Sequence, residues 1–286
     1  MDLSYLSQEA LDKFIILALK EDVGTGDHSS LGSIPHDKKS AARLLVKADG
    51  IIAGLSLAKM IFHQVDPNLK VELLLKDGDQ ISTGDIGLTV SGKATSILTA
   101  ERLALNCLQR MSGIATKTHH LNTLIQHTNA RLLDTRKTTP NFRMLEKWAV
   151  VIGGGQNHRF GLFDMVMLKD NHVDFAGGIA QAIRSVKKYL REKELDLKIE
   201  VETRNLDEVR QVLEEDDIAV IMLDNFALDA MENAVRLING KCKSEASGGI
   251  TEATIREVAE TGVDYISVGA LTHSYQSLDM SLKAVD

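Results

Sequence analysis

The chain has 286 residues, enough to bury a real core in one large or two ordinary domains, and its 44% hydrophobic and 26% charged content is ordinary for a globular protein. With 33 Lys and Arg against 40 Asp and Glu, the formal net charge is −7, which argues against a general nucleic-acid binder because phosphate-backbone binding needs a broad basic face. No apolar run approaches the ~20 residues of a membrane span, and Met1-Asp2-Leu3-Ser4 has neither the basic nor the apolar region of an export signal, so a cytoplasmic protein is expected.

In chain order, Gln8 to Lys20 carries apolar residues at helical spacing. Ala41 to Ala48 and Val71 to Lys76 read as strands, and Asp77-Gly78-Asp79 and Thr83-Gly84-Asp85 as turns. This first third predicts a small α+β domain. A long helical pattern follows from about Leu98 through Met111, is interrupted at Ser112-Gly113, and resumes toward His127. The interruption marks the expected boundary between domains 1–111 and 112–286.

From Ala130 onward the pattern becomes regular. Strands are predicted at Ala130 to Leu133, Met165 to Leu168, Leu197 to Val201, Ala219 to Leu223, Cys242 to Ala246 and Val263 to Val268. Helices are predicted at Phe142 to Ile152, Ile179 to Glu194, Asn205 to Glu214, Ala227 to Ile238 and Thr251 to Glu260. Such alternation requires a parallel sheet, since each helix must carry the chain back across one face. An open or incomplete β/α barrel and a doubly wound sheet both satisfy it. The residues at the strand ends favour the barrel, whose strands converge on one mouth.

Those ends are rich in functional types: Asp134 with Arg136 and Lys137, Lys169 with Asp170, Glu202, Asp224, Ser247 with Gly248 and Gly249, and Gly269 with His273. Between Arg131 and His172 the chain carries seven Lys and Arg against four Asp and Glu, so that this window is +3 while the remainder sums to −10. A local field of the wrong sign points to a small polyanionic ligand. Arg136 and Arg159 suit planar carboxylates, which a guanidinium grips with two parallel bonds, whereas Lys137 and Lys169 suit phosphate oxygens. Glu202 and Asp224 are hard oxygen donors of the kind that hold Mg²⁺ beside a phosphate, or else partners for Lys137 and Lys169. Ser247-Gly248-Gly249-Ile250-Thr251 precedes a predicted helix and offers backbone N–H groups to a phosphate, or is simply a turn. Gly153-Gly154-Gly155 lacks the third glycine of a dinucleotide fingerprint, since His158 stands there, and no Walker A motif is present. The glycines are expected to turn Asn157, His158 and Arg159 inward. His28, His119, His120 and His172 read as structural or surface residues, and Cys107 and Cys242 as buried reduced thiols. Nothing resembles a Ser-His-Asp or Cys-His nucleophile, so the chemistry is expected to work by positioning and electrostatics.

Taken together, seven segments resemble the quinolinate phosphoribosyltransferases: Glu21 through Asp27, Glu101-Arg102-Leu103-Ala104-Leu105-Asn106, Asp134-Thr135-Arg136-Lys137-Thr138, Gly153 through Arg159, Leu168 through His172, Leu223-Asp224-Asn225, and Ser247-Gly248-Gly249-Ile250. The resemblance spans almost the whole chain. It implies an N-terminal α/β sandwich and an incomplete parallel β/α barrel, in a homodimer or higher homo-oligomer with shared active sites, and no nucleic-acid or membrane partner. It implies conversion of quinolinate and 5-phosphoribosyl 1-pyrophosphate to nicotinate mononucleotide, pyrophosphate and CO2 in NAD biosynthesis. By the same resemblance Arg136, His158 and Arg159 bind quinolinate, with Arg102 supplied by the neighbouring subunit, and Lys137 and Lys169 lie between the substrates. Glu202 and Asp224 then hold the ribose hydroxyls and Mg²⁺, with the reacting centre made by Lys137, Lys169, Glu202 and Asp224. Ser247, Gly248 and Gly269 hold the phosphoribosyl end with His273 nearby, and Thr135 and Gly249 join the substrate-binding set. One departure is Thr203-Arg204 after Glu202, where a Val and an acidic or polar residue are expected. The competing readings are a paralogue acting on another aromatic acid and a non-catalytic sensor of a phosphorylated metabolite.

Overall fold

A computed structural model describes residues 3–285; Met1 and Asp2, where the reading of the chain start begins, lie outside the described residues. The chain divides into two compact units that do not follow its linear order. The first runs through His119, takes in Thr139–Gly154, and resumes at Ser274; the second is His120–Thr138 with Gly155–His273.

In the first unit the strands β1 (Lys39–Val46), β3 (Lys70–Leu73), β5 (Ile86–Lys93) and β12 (Met280–Val285) form an antiparallel sheet in the order β12-β1-β5-β3. The short strands β2 (Gly50–Ile51) and β4 (Gln80–Ile81) pair separately. Its helices are α1 (Gln8–Val23), α2 (His28–Ser33), α3 (Leu55–Val65), most of α4 (Ala94–Ile125) and α5 (Arg143–Ile152). Leu55, Leu57, Ala58, Ile61 and Phe62 of α3 are buried, and burial of each leucine, isoleucine or phenylalanine side chain contributes roughly 1.5–3 kcal/mol.

The expected break at Ser112-Gly113 is absent, because α4 is one continuous helix of 32 residues. Both residues are small for packing reasons. Ser112 is fully buried and its hydroxyl accepts the Ala53 N–H at 2.9 Å, satisfying a backbone group that would otherwise be stranded. A Cβ on Gly113 would stand 2.2 Å from the Gln276 carbonyl oxygen. Positions 111 and 112, where the sequence divides the domains, therefore lie within a helix.

In the second unit all six predicted strands form: β6 (Arg131–Leu133), β7 (Val166–Leu168), β8 (Ile199–Thr203), β9 (Val220–Asp224), β10 (Lys243–Ser247) and β11 (Tyr265–Ser267). Every pairing is parallel and the order is β6-β11-β10-β9-β8-β7. This order is cyclic, with the first strand beside the last, as in a β/α barrel opened between β6 and β7. A doubly wound sheet would reverse direction at an interior strand instead. The helices α7 (Ile179–Glu192), α8 (Leu206–Leu213), α9 (Leu228–Ile238) and α10 (Ile255–Glu260) return the chain between strands, and α6 (Asp170–Ala176) and α11 (Ala270–His273) are short additions at strand ends. Strand alternation explains the inner face: in β8 the apolar Ile199 and Val201 are buried among their own kind, while Glu200 and Glu202 share the opposite side.

Candidate active site

The strand ends of the second unit enclose a cavity of about 840 Å³. It is lined by Thr135, Arg136, Lys137, His158, Arg159, Lys169, Glu202, Asp224, Ser247, Gly248, Gly249, Gly269 and His273, so every residue that the resemblance assigns to the site contributes except Arg102, while Asp134, Asn157 and Asp170 stand outside the lining. Arg102 lies in the first unit, exposed on α4.

Parallel register sets the depth of each group. Glu202 is level with Met222 and Met222 with Glu245, while Asp224 is level with Ser247 one step further out. Glu202 and Asp224 thus stand on the same face of adjacent strands, two residues apart. Lys169 Nζ lies 3.3 Å from Glu202 Oε2, the ion pair expected as the alternative to metal binding. Asp224 pairs with no lysine and accepts the Asn225 side-chain amide at 2.8 Å. Lys137 makes no ion pair among the described residues, and its carbonyl accepts the Thr272 hydroxyl at 2.8 Å.

The arginines are the most exacting part of the site. Neither Arg136 nor Arg159 has a carboxylate partner within ion-pair distance among the described residues, and the Arg136 Nε is buried with no hydrogen-bond partner. Arg159 donates to the Met165 carbonyl at 3.2 Å and lies 3.6 Å from the Met167 sulfur. Burial and the like charge of Arg136 lower its pKa, and the Glu200 carboxyl opposes them. An unmet buried donor costs about 1–3 kcal/mol and more when charged, so the Arg136 Nε–H is held at a cost that a bound acceptor would relieve.

Beneath the cavity lies a buried acidic layer of which the sequence singles out Asp134 but not Glu200 or Glu245. Asp134, Glu200 and Glu245 are fully buried. Asp134 accepts the His158 N–H at 2.9 Å and the Asn157 side-chain amide at 2.6 Å, fixing the segment after the glycines to the end of β6. Burial pushes both Glu200 and Glu245 up to about 8, so that at neutral pH each tends to hold its proton. His158 Nδ1 accepts the Arg159 N–H at 2.7 Å, and its Nε2 lies 3.0 Å from Glu200 and 3.5 Å from Glu245. A signal was present: Glu200 precedes Glu202 by two residues and Glu245 precedes Ser247 by two, which places each pair on one strand face.

The glycines divide their work. Gly153 permits close approach to α4, since a Cβ there would meet the Ala115 carbonyl at 2.4 Å, and Gly154 turns with φ +89°. Gln156 then pairs with β6 beside Leu133, and Asn157, His158 and Arg159 follow into the unit. Gly248 has φ +93° and a Cβ would stand 2.3 Å from Asn225 Oδ1, so no other residue fits. The helix expected to begin at Thr251 begins at Ile255. Any phosphate at this loop is therefore met by loop N–H groups rather than by an adjoining helix end. Thr203 is buried and donates to the Met222 carbonyl, while Arg204 turns outward to Asp174 and Glu208, so the departure from the expected pattern leaves the cavity lining intact. Both cysteines are free; Cys107 is buried with its thiol pushed up to about 12, and Cys242 is half-buried rather than buried as expected. No helix of the described residues is long and apolar enough to cross a membrane.

Comparison with known proteins fits this arrangement. The family descriptions "Quinolinate phosphoribosyl transferase, N-terminal domain" and "C-terminal domain" match residues 23–112 and 114–283. The chain belongs to the quinolinate phosphoribosyl transferase family. It is a decarboxylating phosphoribosyltransferase of NAD biosynthesis. It is 50% identical to the nicotinate-nucleotide pyrophosphorylase [carboxylating], chloroplastic, of Arabidopsis thaliana, over 96% of this chain and 82% of that protein. It is 48% identical, with the same coverage, to quinolinate phosphoribosyltransferase [decarboxylating] 2, mitochondrial, of Nicotiana glauca. The solved nicotinate-nucleotide pyrophosphorylase of Francisella tularensis superposes with a TM-score of 0.92 at 37% identity, covering all of this chain and 99% of that one.

Proposed function

We propose that the cavity of the second unit converts quinolinate and 5-phosphoribosyl 1-pyrophosphate to nicotinate mononucleotide, pyrophosphate and CO2 with a fixed division of labour. Arg136 and Arg159 clamp the two carboxylates of quinolinate. The observation that carries this is the pair of guanidinium groups without a carboxylate partner, one with a buried and unmet Nε–H. A planar diacid satisfies both at once.

Clamping aims the ring nitrogen at the ribose C1. Lys137 and Lys169 stand where charge accumulates on the departing pyrophosphate, and Lys169 exchanges its pairing with Glu202 for the incoming anion. Glu202 and Asp224 hold the ribose hydroxyls and Mg²⁺. The donor set fits this ion: two carboxylates on one sheet face open to the cavity, one shared with a single lysine and the other bonded only to an amide. When bound, it neutralises pyrophosphate charge. The Ser247-Gly248-Gly249 loop, Gly269 and His273 receive the 5-phosphate, and Thr135 lines the same wall. After ring attack, the pyridinium nitrogen stabilises the carbanion left by loss of the 2-carboxylate, so the chain needs no further electron sink.

A homodimer or higher oligomer with shared sites accompanies this reading. Arg102 is an exposed guanidinium on α4 without an ion partner among the described residues, available to the site of a second subunit. A cytoplasmic location is supported by the two free cysteines, and relatives are named for chloroplasts and mitochondria, so imaging of the tagged full chain decides it. The reaction itself is tested by mixing quinolinate, 5-phosphoribosyl 1-pyrophosphate and Mg²⁺ with the enzyme. CO2 and pyrophosphate are expected in equal amounts; pyrophosphate without CO2 would mean that water displaces it, or that transfer is uncoupled from decarboxylation, and would contradict the proposed division of labour.

A further inference from the structure

His158 lines the cavity, yet its ring is committed to the protein interior. The side chain is 6% exposed. Its Nδ1 accepts the backbone N–H of Arg159 at 2.7 Å, so Nδ1 carries a lone pair and the ring proton resides on Nε2. The nearest oxygens of Glu200 and Glu245 lie 3.0 and 3.5 Å from Nε2, close enough for an ion pair but outside hydrogen-bond geometry. Glu245 is held in turn by the Ser267 hydroxyl at 2.6 Å. The three side chains have the composition of a metal site, but an Nε2 that carries the proton has no lone pair to give a cation.

We propose that His158 is a positioning residue for Arg159 rather than a ligand of the substrate: the ring, buried beside Glu200 and Glu245, holds the Arg159 backbone through Nδ1 so that its guanidinium enters the cavity beside Arg136. The inference rests on Arg159 being a carboxylate ligand. Asp134 fixes the same segment one residue earlier through the His158 N–H, so both peptide groups flanking His158 are tied down. A guanidinium fork binds two oxygens only when its plane is aimed, and Arg159 has no ion pair of its own to aim it. The device occurs twice in the site: His172 Nδ1 accepts the Lys169 N–H at 3.0 Å.

Two substitutions separate the ring's nitrogens. His158→Asn places a carbonyl oxygen near the Nδ1 position and keeps an acceptor for Arg159. His158→Gln places its amide near Nε2 and leaves the Arg159 N–H unmet. In the full-length enzyme, hydrogen exchange at the Arg159 amide should stay slow in the Asn variant and quicken in the Gln variant. The kcat/KM for quinolinate should fall by roughly tenfold in the Gln variant, the worth of one hydrogen bond, and little in the Asn variant. Combined with Arg159→Ala, the Gln substitution should then cost less than about twofold more, because the residue it serves is gone. Equal losses in Asn and Gln variants, with losses that multiply in the double variant, would make His158 a direct substrate ligand and overturn the proposal. If Arg159→Ala alone leaves quinolinate turnover unchanged, the diacid clamp is wrong. Exchange at the Arg159 amide still decides whether His158 holds that backbone: unchanged exchange in the Gln variant would refute it.

Discussion

Arg136 is the residue on which the clamp depends most visibly, since its Nε–H is buried without a partner while the rest of the side chain opens to the cavity. A lysine there keeps the charge but loses the fork and the planar donor set. Arg136→Lys should therefore raise KM for quinolinate and lower kcat/KM by a hydrogen bond to a charged group, roughly 1.5–3 kcal/mol or one to two powers of ten. Steady-state kinetics at saturating 5-phosphoribosyl 1-pyrophosphate measure this, and wild-type constants would mean that Arg136 is not a carboxylate ligand. Glu245 gives a prediction of the opposite kind, about stability. Its folded pKa is raised to about 8 from 4.5, so folding retains a proton that the unfolded chain gives up between those values. The stability it contributes is complete at low pH and is lost as pH rises through about 8, at up to about 1.4 kcal/mol per pH unit. In urea denaturation from about pH 5 to about pH 9, Glu245→Gln should show a shallower decline than wild type. Identical slopes would mean that the buried proton resides elsewhere.

At the scale of elements, β8, β9 and β10 show how much chemistry a strand period conveys. Glu200 and Glu202 of β8, Asp224 of β9 and Glu245 and Ser247 of β10 follow the two-residue strand period, and the strands of the second unit were legible because short segments between polar loops recur there at regular intervals, β10 being the least apolar of them. The residues at their ends were legible for the same reason. Glu200 and Glu245 were not, because a charged residue inside a short strand reads as a solvated position until the strand is known to close over a cavity, whereas the inward turn of His158 was legible from the three glycines before it. The short helix α6 was missed because it begins directly at the Lys169 strand end, with no separate apolar period. The misreading at Ser112-Gly113 has a different cause: Gly and Ser weaken helices by intrinsic preference, but here tertiary packing overrides it. Gly113→Ala should accordingly destabilise the protein by about 1–3 kcal/mol despite its better helix propensity, since the added methyl meets backbone. Thermal or urea unfolding tests this, and a stabilised variant would mean that α4 tolerates a side chain there.

For the whole molecule, the main consequence concerns Arg102, which lies in the first unit while the other site residues lie in the second. If it serves the site of a second subunit, Arg102→Ala and Lys137→Ala should each be nearly inactive and should complement when dissociated and reassembled together. A mixed dimer has one site with both defects and one with neither, and random reassociation makes half the dimers mixed, so about a quarter of wild-type sites should return under closed two-fold symmetry. Tag capture confirms subunit exchange; activity that then stays at the level of the separate variants would show that Arg102 serves its own subunit.

The central claim is that a two-arginine clamp makes transfer depend on a diacid, and substrate discrimination tests it most directly. Nicotinate lacks the 2-carboxylate and would leave one guanidinium unmet, and rejection of an analogue missing a bonding group can reach on the order of 10⁴. The measurement is kcat/KM for quinolinate and for nicotinate with the same preparation, 5-phosphoribosyl 1-pyrophosphate and Mg²⁺. The clamp predicts a ratio approaching that size, with CO2 released from quinolinate for every nucleotide formed. Comparable values for the two acids would contradict it.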